Sequence, residues 1–198
     1  MRFRYFPLLV ALAVGLAFPS TICAAPVTLM LSGTLSGSLD GNAFTDEQYV
    51  FDVVFDTTDV VPFSDGFEVL ASSSTFEFSD LQGGTTASVT TPVLAFVNNT
   101  FGTLGFGNDS IGVDFIVLGD PSFQAYDLGT TLGAVSPTFA DYFEVATPLQ
   151  TSAGDLIFTD AFGATNTNFA AVPEPGSGVL AGLGLIAASL GRRRKKRS

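Results

Sequence analysis

The chain has 198 residues, no histidine, no tryptophan and a single cysteine, Cys23, close to the start. Only eight residues are basic: Arg2 and Arg4 at the front, and Arg192, Arg193, Arg194, Lys195, Lys196 and Arg197 at the back. From Tyr5 to Gly191 there is no lysine, arginine or histidine at all. Without histidine, neither a Ser-His-Asp triad nor a Cys–His pair can be built; no lysine can form a Schiff base and no arginine can clamp a phosphate. Nucleic acid is not an expected partner, because nothing in the interior neutralises backbone phosphates. With one cysteine there is no internal disulfide, so the core alone must supply stability.

What is present divides the chain into three. Met1 to Arg4 is a short positive segment, Leu8 to Phe18 (LLVALAVGLAF) is an apolar run of 11 residues, and Pro19 to Ala25 (PSTICAA) is rich in small residues. That order reads as a secretory signal helix over residues 1–25, recognised by the Sec translocon and cut by signal peptidase. Cleavage after Ala24 leaves Ile22 at the −3 position, and cleavage after Ala25 leaves Pro26 at +1. Ile22 before Cys23 argues against a lipoprotein anchor, where a small residue is wanted.

The last segment, 172–198, opens with Val172, Pro173, Glu174 and Pro175, continues through the uncharged Gly176 to Gly191, and closes on Arg192 to Arg197. The two prolines hold the chain extended and remove backbone donors, giving an accessible linker over Val172 to Ser177. As a helix, the next 16 residues reach roughly 24 Å, a little short of a ~30 Å hydrocarbon core, a gap that local thinning closes. The basic end stays cytoplasmic, so a transmembrane segment over 176–191 would hold the preceding domain outside the inner membrane.

This tripartite end resembles the PEP-CTERM sorting signal of bacterial exported proteins: Val172-Pro173-Glu174-Pro175 matches its VPEP core, and the apolar segment and arginine-rich finish follow in the same order. Tails of this type are also known as an ice-binding protein C-terminal domain, from which no ice binding is inferred. The resemblance implies processing by an exosortase, with export to the cell surface or outside the cell, and an association with extracellular polysaccharide and biofilm. It implies that Glu174 is read by another enzyme rather than acting as a catalytic residue. It covers only the tail.

Residues 26–171 form the exported body and hold 18 of the 19 acidic residues with no cation, so the body carries about −18. Self-repulsion of that size favours solubility, lowers stability at low salt and makes divalent cations plausible partners. Against it stand 17 of the 20 phenylalanines, between Phe44 and Phe169, each worth roughly 1.5–3 kcal/mol when buried. Disordered chains lack such aromatics.

Alternation with period two marks strands: Tyr49, Phe51, Val53 and Phe55 oppose Asp52 and Asp56; Phe76 and Phe78 flank Glu77; Val113, Phe115 and Val117 alternate with Asp114; Phe143 and Val145 bracket Glu144. Glycine beside Asp or Asn, as at Asp40-Gly41 and Asp65-Gly66, punctuates the runs. We expect about ten strands, near 27–39, 44–56, 67–79, 85–97, 100–106, 111–118, 121–128, 139–147, 155–162 and 165–171. The predicted fold is all-β, an antiparallel β-sandwich or jelly-roll-like body between a signal helix and a C-terminal transmembrane helix.

Carboxylates are the only acid–base groups left, with Glu47, Glu68, Glu77 and Glu144 available for a glycosidase pair. With no tryptophan to stack a sugar and no cation to orient one, no enzyme is expected. Asp56 and Asp59, with Asn108 and Asp109, place oxygen ligands at turns and are weak calcium candidates; none follows the EF-hand spacing, and turn chemistry explains them equally. Calcium is the one cofactor considered. Tyr126 and Tyr142 either stack on a glycan or complete the core. Asn98-Asn99-Thr100 and Asn108-Asp109-Ser110 fit the glycosylation triplet and read as turns. The expected protein is a non-catalytic exported surface or matrix component; the alternative is a polysaccharide-binding module, calcium-assisted.

Overall fold

A computed structural model describes residues 26–143, 147–159, 161–162 and 166–173. Expectations for the signal segment, Phe143–Val145 as a strand, the rest of the sorting motif, the membrane segment and the basic tail fall wholly or partly outside these residues. Among the described residues there is no α-helix, and none long and apolar enough to cross a membrane.

The first hairpin sets the frame. β1 (Pro26–Leu39) and β2 (Asn42–Asp56) are joined by Asp40 and Gly41, both at positive φ (50° and 77°). That left-handed pair matches the strand twist, which is why Asp-Gly suits it. On β2 the alternation holds as read: Tyr49, Phe51, Val53 and Phe55 are buried. Two further pairs follow in sequence: β3 (Val61–Phe63) with β4 (Gly66–Leu70), and β5 (Ser73–Phe78) with β6 (Thr85–Ser88). β7 (Val93–Asn98), β8 (Thr103–Asn108) and β9 (Val113–Gly119) form a meander. The remaining strands are β10 (Leu132–Val135), β11 (Phe139–Tyr142), β12 (Leu149–Thr151), β13 (Gly154–Phe158) and β14 (Asn168–Pro173).

These strands make two antiparallel sheets. One has the order β10-β14-β1-β2-β5-β6, with β13 pairing the far half of β1 and β12 pairing β13; the other runs β11-β9-β8-β7-β4-β3. The first nearly closes on itself. Val89, just past β6, bridges Thr151 of β12, and Thr90 N donates to the Gln150 carbonyl at 2.8 Å. The circuit β1-β2-β5-β6-β12-β13 therefore returns to β1, which removes edges that would otherwise be open to another chain.

Aromatic rings join the two sheets into one core, a β-sandwich-like body. Phe51 stacks on Phe76 in its own sheet (centroids 4.1 Å apart) and meets Phe106 and Phe115 of the other sheet edge-on at 5.2 and 6.0 Å. A chain of hydroxyls runs through the interior: Tyr49 Oη to Tyr142 Oη, and Tyr142 Oη to Thr167 Oγ1, each 2.9 Å. Burial of three hydroxyls is tolerable because they satisfy one another.

Several expectations change. The run expected as one strand over 67–79 is two, broken at Ala71–Ser72, where the chain leaves one sheet for the other; 85–97 divides in the same way at Thr90–Pro92. The two corners lie together, with Ala71 N donating to the Val93 carbonyl at 2.9 Å. The stretch 121–128 is not a strand but a 3-10 turn over Pro121–Ala125, begun by Asp120, whose side chain accepts from Ser122 N, and by the proline behind it. Along β9 the register shifts so that Ile116 opposes Phe106 while Asp114 opposes Gly107. Phe115 is the extra residue, and both it and Ile116 turn inward with no exposure, while Val113 is exposed. A bulge there replaces the simple alternation expected for Val113, Phe115 and Val117.

Candidate functional site

The C-terminal strand leads to the segment the sequence singled out. In β14, Phe169 and Ala171 point into the core and are 1% and 2% exposed. The strand does not stop at Ala171, as expected, but continues through Val172 and Pro173, which stand opposite Thr28 and Val27 of β1. Proline is admissible at this last position, where a missing donor interrupts no further ladder. Val172 turns outward and is 43% exposed. Glu174, Pro175 and Arg192 to Arg197 lie outside the described residues. The half of the motif that is described is therefore part of the sheet rather than free linker, and Val27 and Pro173 bring the start and the end of the body to one corner.

Among the described residues, which do not include Glu144, the carboxylates do not gather into a site. Among the described residues no three acidic or cysteine side chains cluster as metal ligands would. Asp56 Oδ1 accepts from Thr58 N (2.8 Å) and Thr58 Oγ1 (2.7 Å), which caps the 3-10 turn Thr57–Asp59 and holds its carboxyl below the ordinary range. Asn108 is buried at the end of β8, with its Oδ1 accepting from Ser110 N at 3.0 Å. Two of the four calcium candidates, Asp56 and Asn108, thus spend an oxygen on turn geometry, and the other two, Asp59 and Asp109, are exposed beside them. Glu47 Oε1 likewise accepts from Asp80 N and Leu81 N, each at 2.7 Å.

Across the outer face of the second sheet, Asp141 opposes Val117 on β9, and Glu68 opposes Phe96 on β7. Four strand intervals separate these two carboxylates, roughly 19 Å at ~4.8 Å each, far beyond a glycosidase pair. Asp52 and Glu77 are nearer, diagonal neighbours on β2 and β5, since Asp52 opposes Thr75 and Glu77 opposes Val50. Burial, aided by the Glu77 charge, raises the Asp52 carboxyl above its usual range. The pair faces outward from the sheet, and neither residue lines the grooves beside the corners. The larger groove, about 350 Å³, is walled by Thr90, Thr91, Pro92, Asn108, Ile111 and Pro148 among others, none of them charged.

Tyr126 and Tyr142 are 3% and 1% exposed, so they complete the core and are not available to stack on a glycan. The rings on the outer face of the second sheet are phenylalanines. Phe96 stands opposite Gly105, and Phe139 opposite Gly119; each ring fills the space a β-carbon on its glycine would need. Ring-over-glycine pairs shield strand backbone that would otherwise be bare. The order of residues did not announce these pairs, because each joins a ring and a glycine on different strands, Phe96 with Gly105 and Phe139 with Gly119.

Residues 171–195 match the family model of the PEP-CTERM protein-sorting motif. The chain carries an exosortase sorting signal. No curated protein and no solved structure matches the chain. The PEP-CTERM match begins at Ala171, inside β14, so the sorting signal and the folded body overlap by three residues, Ala171 to Pro173. The PEP-CTERM motif marks an exported protein that is handled by an exosortase.

Proposed function

We propose that this chain is a non-catalytic, exported surface or extracellular-matrix protein of an exopolysaccharide-producing bacterium. Sec and signal peptidase deliver the β-sandwich body across the inner membrane; the apolar segment 176–191 holds it there until the exosortase acts. The observation that carries the reading is the placement of the sorting motif at the end of β14. Only Glu174 and Pro175 separate the last described strand residue from the apolar segment, a reach of about 10 Å at most. A folded body held that close presents the motif at the membrane surface. Fractionation of cells expressing the full chain and a chain ending at Pro173 tests it. The full chain is expected in the membrane fraction before processing, and the shortened one is expected to be soluble outside the cytoplasm. Equal distribution of the two would count against it.

A second reading, a polysaccharide-binding module, draws on the outer face of the second sheet, where Phe96 and Phe139 lie over glycines on the face that also carries the carboxylates Glu68 and Asp141. Binding on a glycan array that is lost with Phe96→Ala favours this reading, and loss with EDTA would add calcium to it. Absence of binding at any salt concentration removes it.

A further inference from the structure

The first two residues of the sorting motif already have partners. Val172 and Pro173 close β14 against Thr28 and Val27, and the strand lies between β1 and β10. A peptidase accepts its substrate as an extended segment, through the same backbone groups that a sheet employs. While β14 is in place, the bonds up to Val172–Pro173 have those groups engaged elsewhere. Freeing them would withdraw Phe169 from the core, where its ring meets Phe123 edge-on at 5.5 Å, and would open β1 along six registered pairs. A body cut upstream of β14 would lose both.

We propose that the sorting cut falls on the C-terminal side of Pro173, so that the released body keeps all of β14 with Val172 and Pro173 still paired to β1. This rests on the reading of the tail as an exosortase substrate. One peptide bond beyond Pro173 is broken by water: the new carboxyl group remains on the body, and the new amino group leaves with the tail. The corner formed by Val27 and Pro173 then carries both ends of the mature protein. The enzyme reads the motif from Glu174 onward and requires no opening of the sheet.

The test locks the strand. Met30 and Ala170 oppose each other on β1 and β14 with outward side chains, at the ~4.5–5.5 Å between β-carbons usual for such pairs, within reach of a disulfide after small adjustment. The only native cysteine is Cys23, in the signal segment. The double variant Met30→Cys, Ala170→Cys, which leaves every residue of the sorting motif as it is, is expressed as the full chain in cells that contain an exosortase, beside the natural chain. Processing of the cross-linked form at an unchanged rate, with an intact mass that ends at Pro173 or later, is the expected result. Processing that stops when the disulfide forms and resumes on reduction would overturn the proposal. So would a natural exported form ending upstream of Pro173, which is decided by mass even where the cross-link fails to form. Retention of Arg192 to Arg197 in both natural and variant exported chains would instead overturn the sorting reading, and the cut with it.

Discussion

Replacing Phe51 by alanine removes the ring on which the two sheets meet. Phe51 has no exposed surface, stacks on Phe76 at 4.1 Å and touches Phe106 and Phe115 of the opposite sheet. Phenylalanine-to-alanine changes in cores cost ~3–5 kcal/mol through lost transfer energy and the cavity left behind. Aromatic pairs add ~0.5–1.5 kcal/mol each beyond burial, though not additively. Three such pairs place this site at the upper end, about 4–5 kcal/mol. Domains are stable by only ~5–15 kcal/mol, so the variant should sit near its unfolding threshold, with Tm lower by roughly 10–20 °C. Urea and thermal unfolding followed by far-UV circular dichroism and tyrosine fluorescence measure it, since there is no tryptophan. Phe101→Ala is the control: that ring is 75% exposed, and its loss should change stability by no more than ~0.5 kcal/mol. A loss under ~1.5 kcal/mol at Phe51, or equal losses at both sites, would refute the shared-core argument.

A methyl group at Gly66 would fall on the Val97 carbonyl oxygen, whereas one at Gly41 meets nothing within 4 Å. Gly66→Ala is therefore expected to cost at least ~2 kcal/mol by overpacking, and Gly41→Ala only the ~1–2 kcal/mol of a left-handed backbone, as read by urea midpoints. Asn99 Nδ2 donates to the carbonyls of Phe123 and Tyr126 at 2.8 and 2.9 Å; Asn99→Asp puts an acceptor against two acceptors and should cost about 2–3 kcal/mol, whereas a neutral outcome would show that the 3-10 segment is held by packing alone. Burial raises the carboxyl of Asp52, and partial desolvation that of the more exposed Asp114, so their contribution is complete below the unfolded value and is lost as pH climbs through the raised folded value. Mutual repulsion of the carboxylates acts in the same direction, while Asp56, held low by Thr58 near the surface, acts weakly against it. Tm should accordingly rise as pH is lowered from neutrality to about 4.5, most of all at low salt, and a steady fall over that interval would contradict the assignment.

The two longest strands could be read from residue order because their alternation is continuous and their turn, Asp40-Gly41, has the chemistry a tight hairpin needs. Phe76 and Phe78 about Glu77 were legible for the same reason. The corners were not. At Ala71–Ser72 and Thr90–Pro92 the chain stays extended on both sides and only changes sheet, so local periodicity carries almost no trace of the event; Pro92 was the one available hint. At Phe115 the bulge is set by β8, and nothing adjacent in sequence announces it. Residues 121–128 misled because Phe123 and Tyr126 are both buried, while Asp120-Pro121 in front of them favours a tight turn. For the sorting motif, the residue types could be recognised directly. That its first two residues belong to the sheet depends on β1, more than 140 residues earlier. The weak calcium positions illustrate the reverse: aspartate and asparagine at turns are informative about backbone geometry first.

The pairing of β14 also decides how the protein bears load. Drag that draws the body away from a surface along the axis of this strand enters at Pro173. The ladder bonds to β1 and β10 lie across that axis, so they resist together, in shear, rather than parting one after another like a zip. An attachment at the last residue of such an inner strand would therefore be strong against a pull along that strand, without any disulfide.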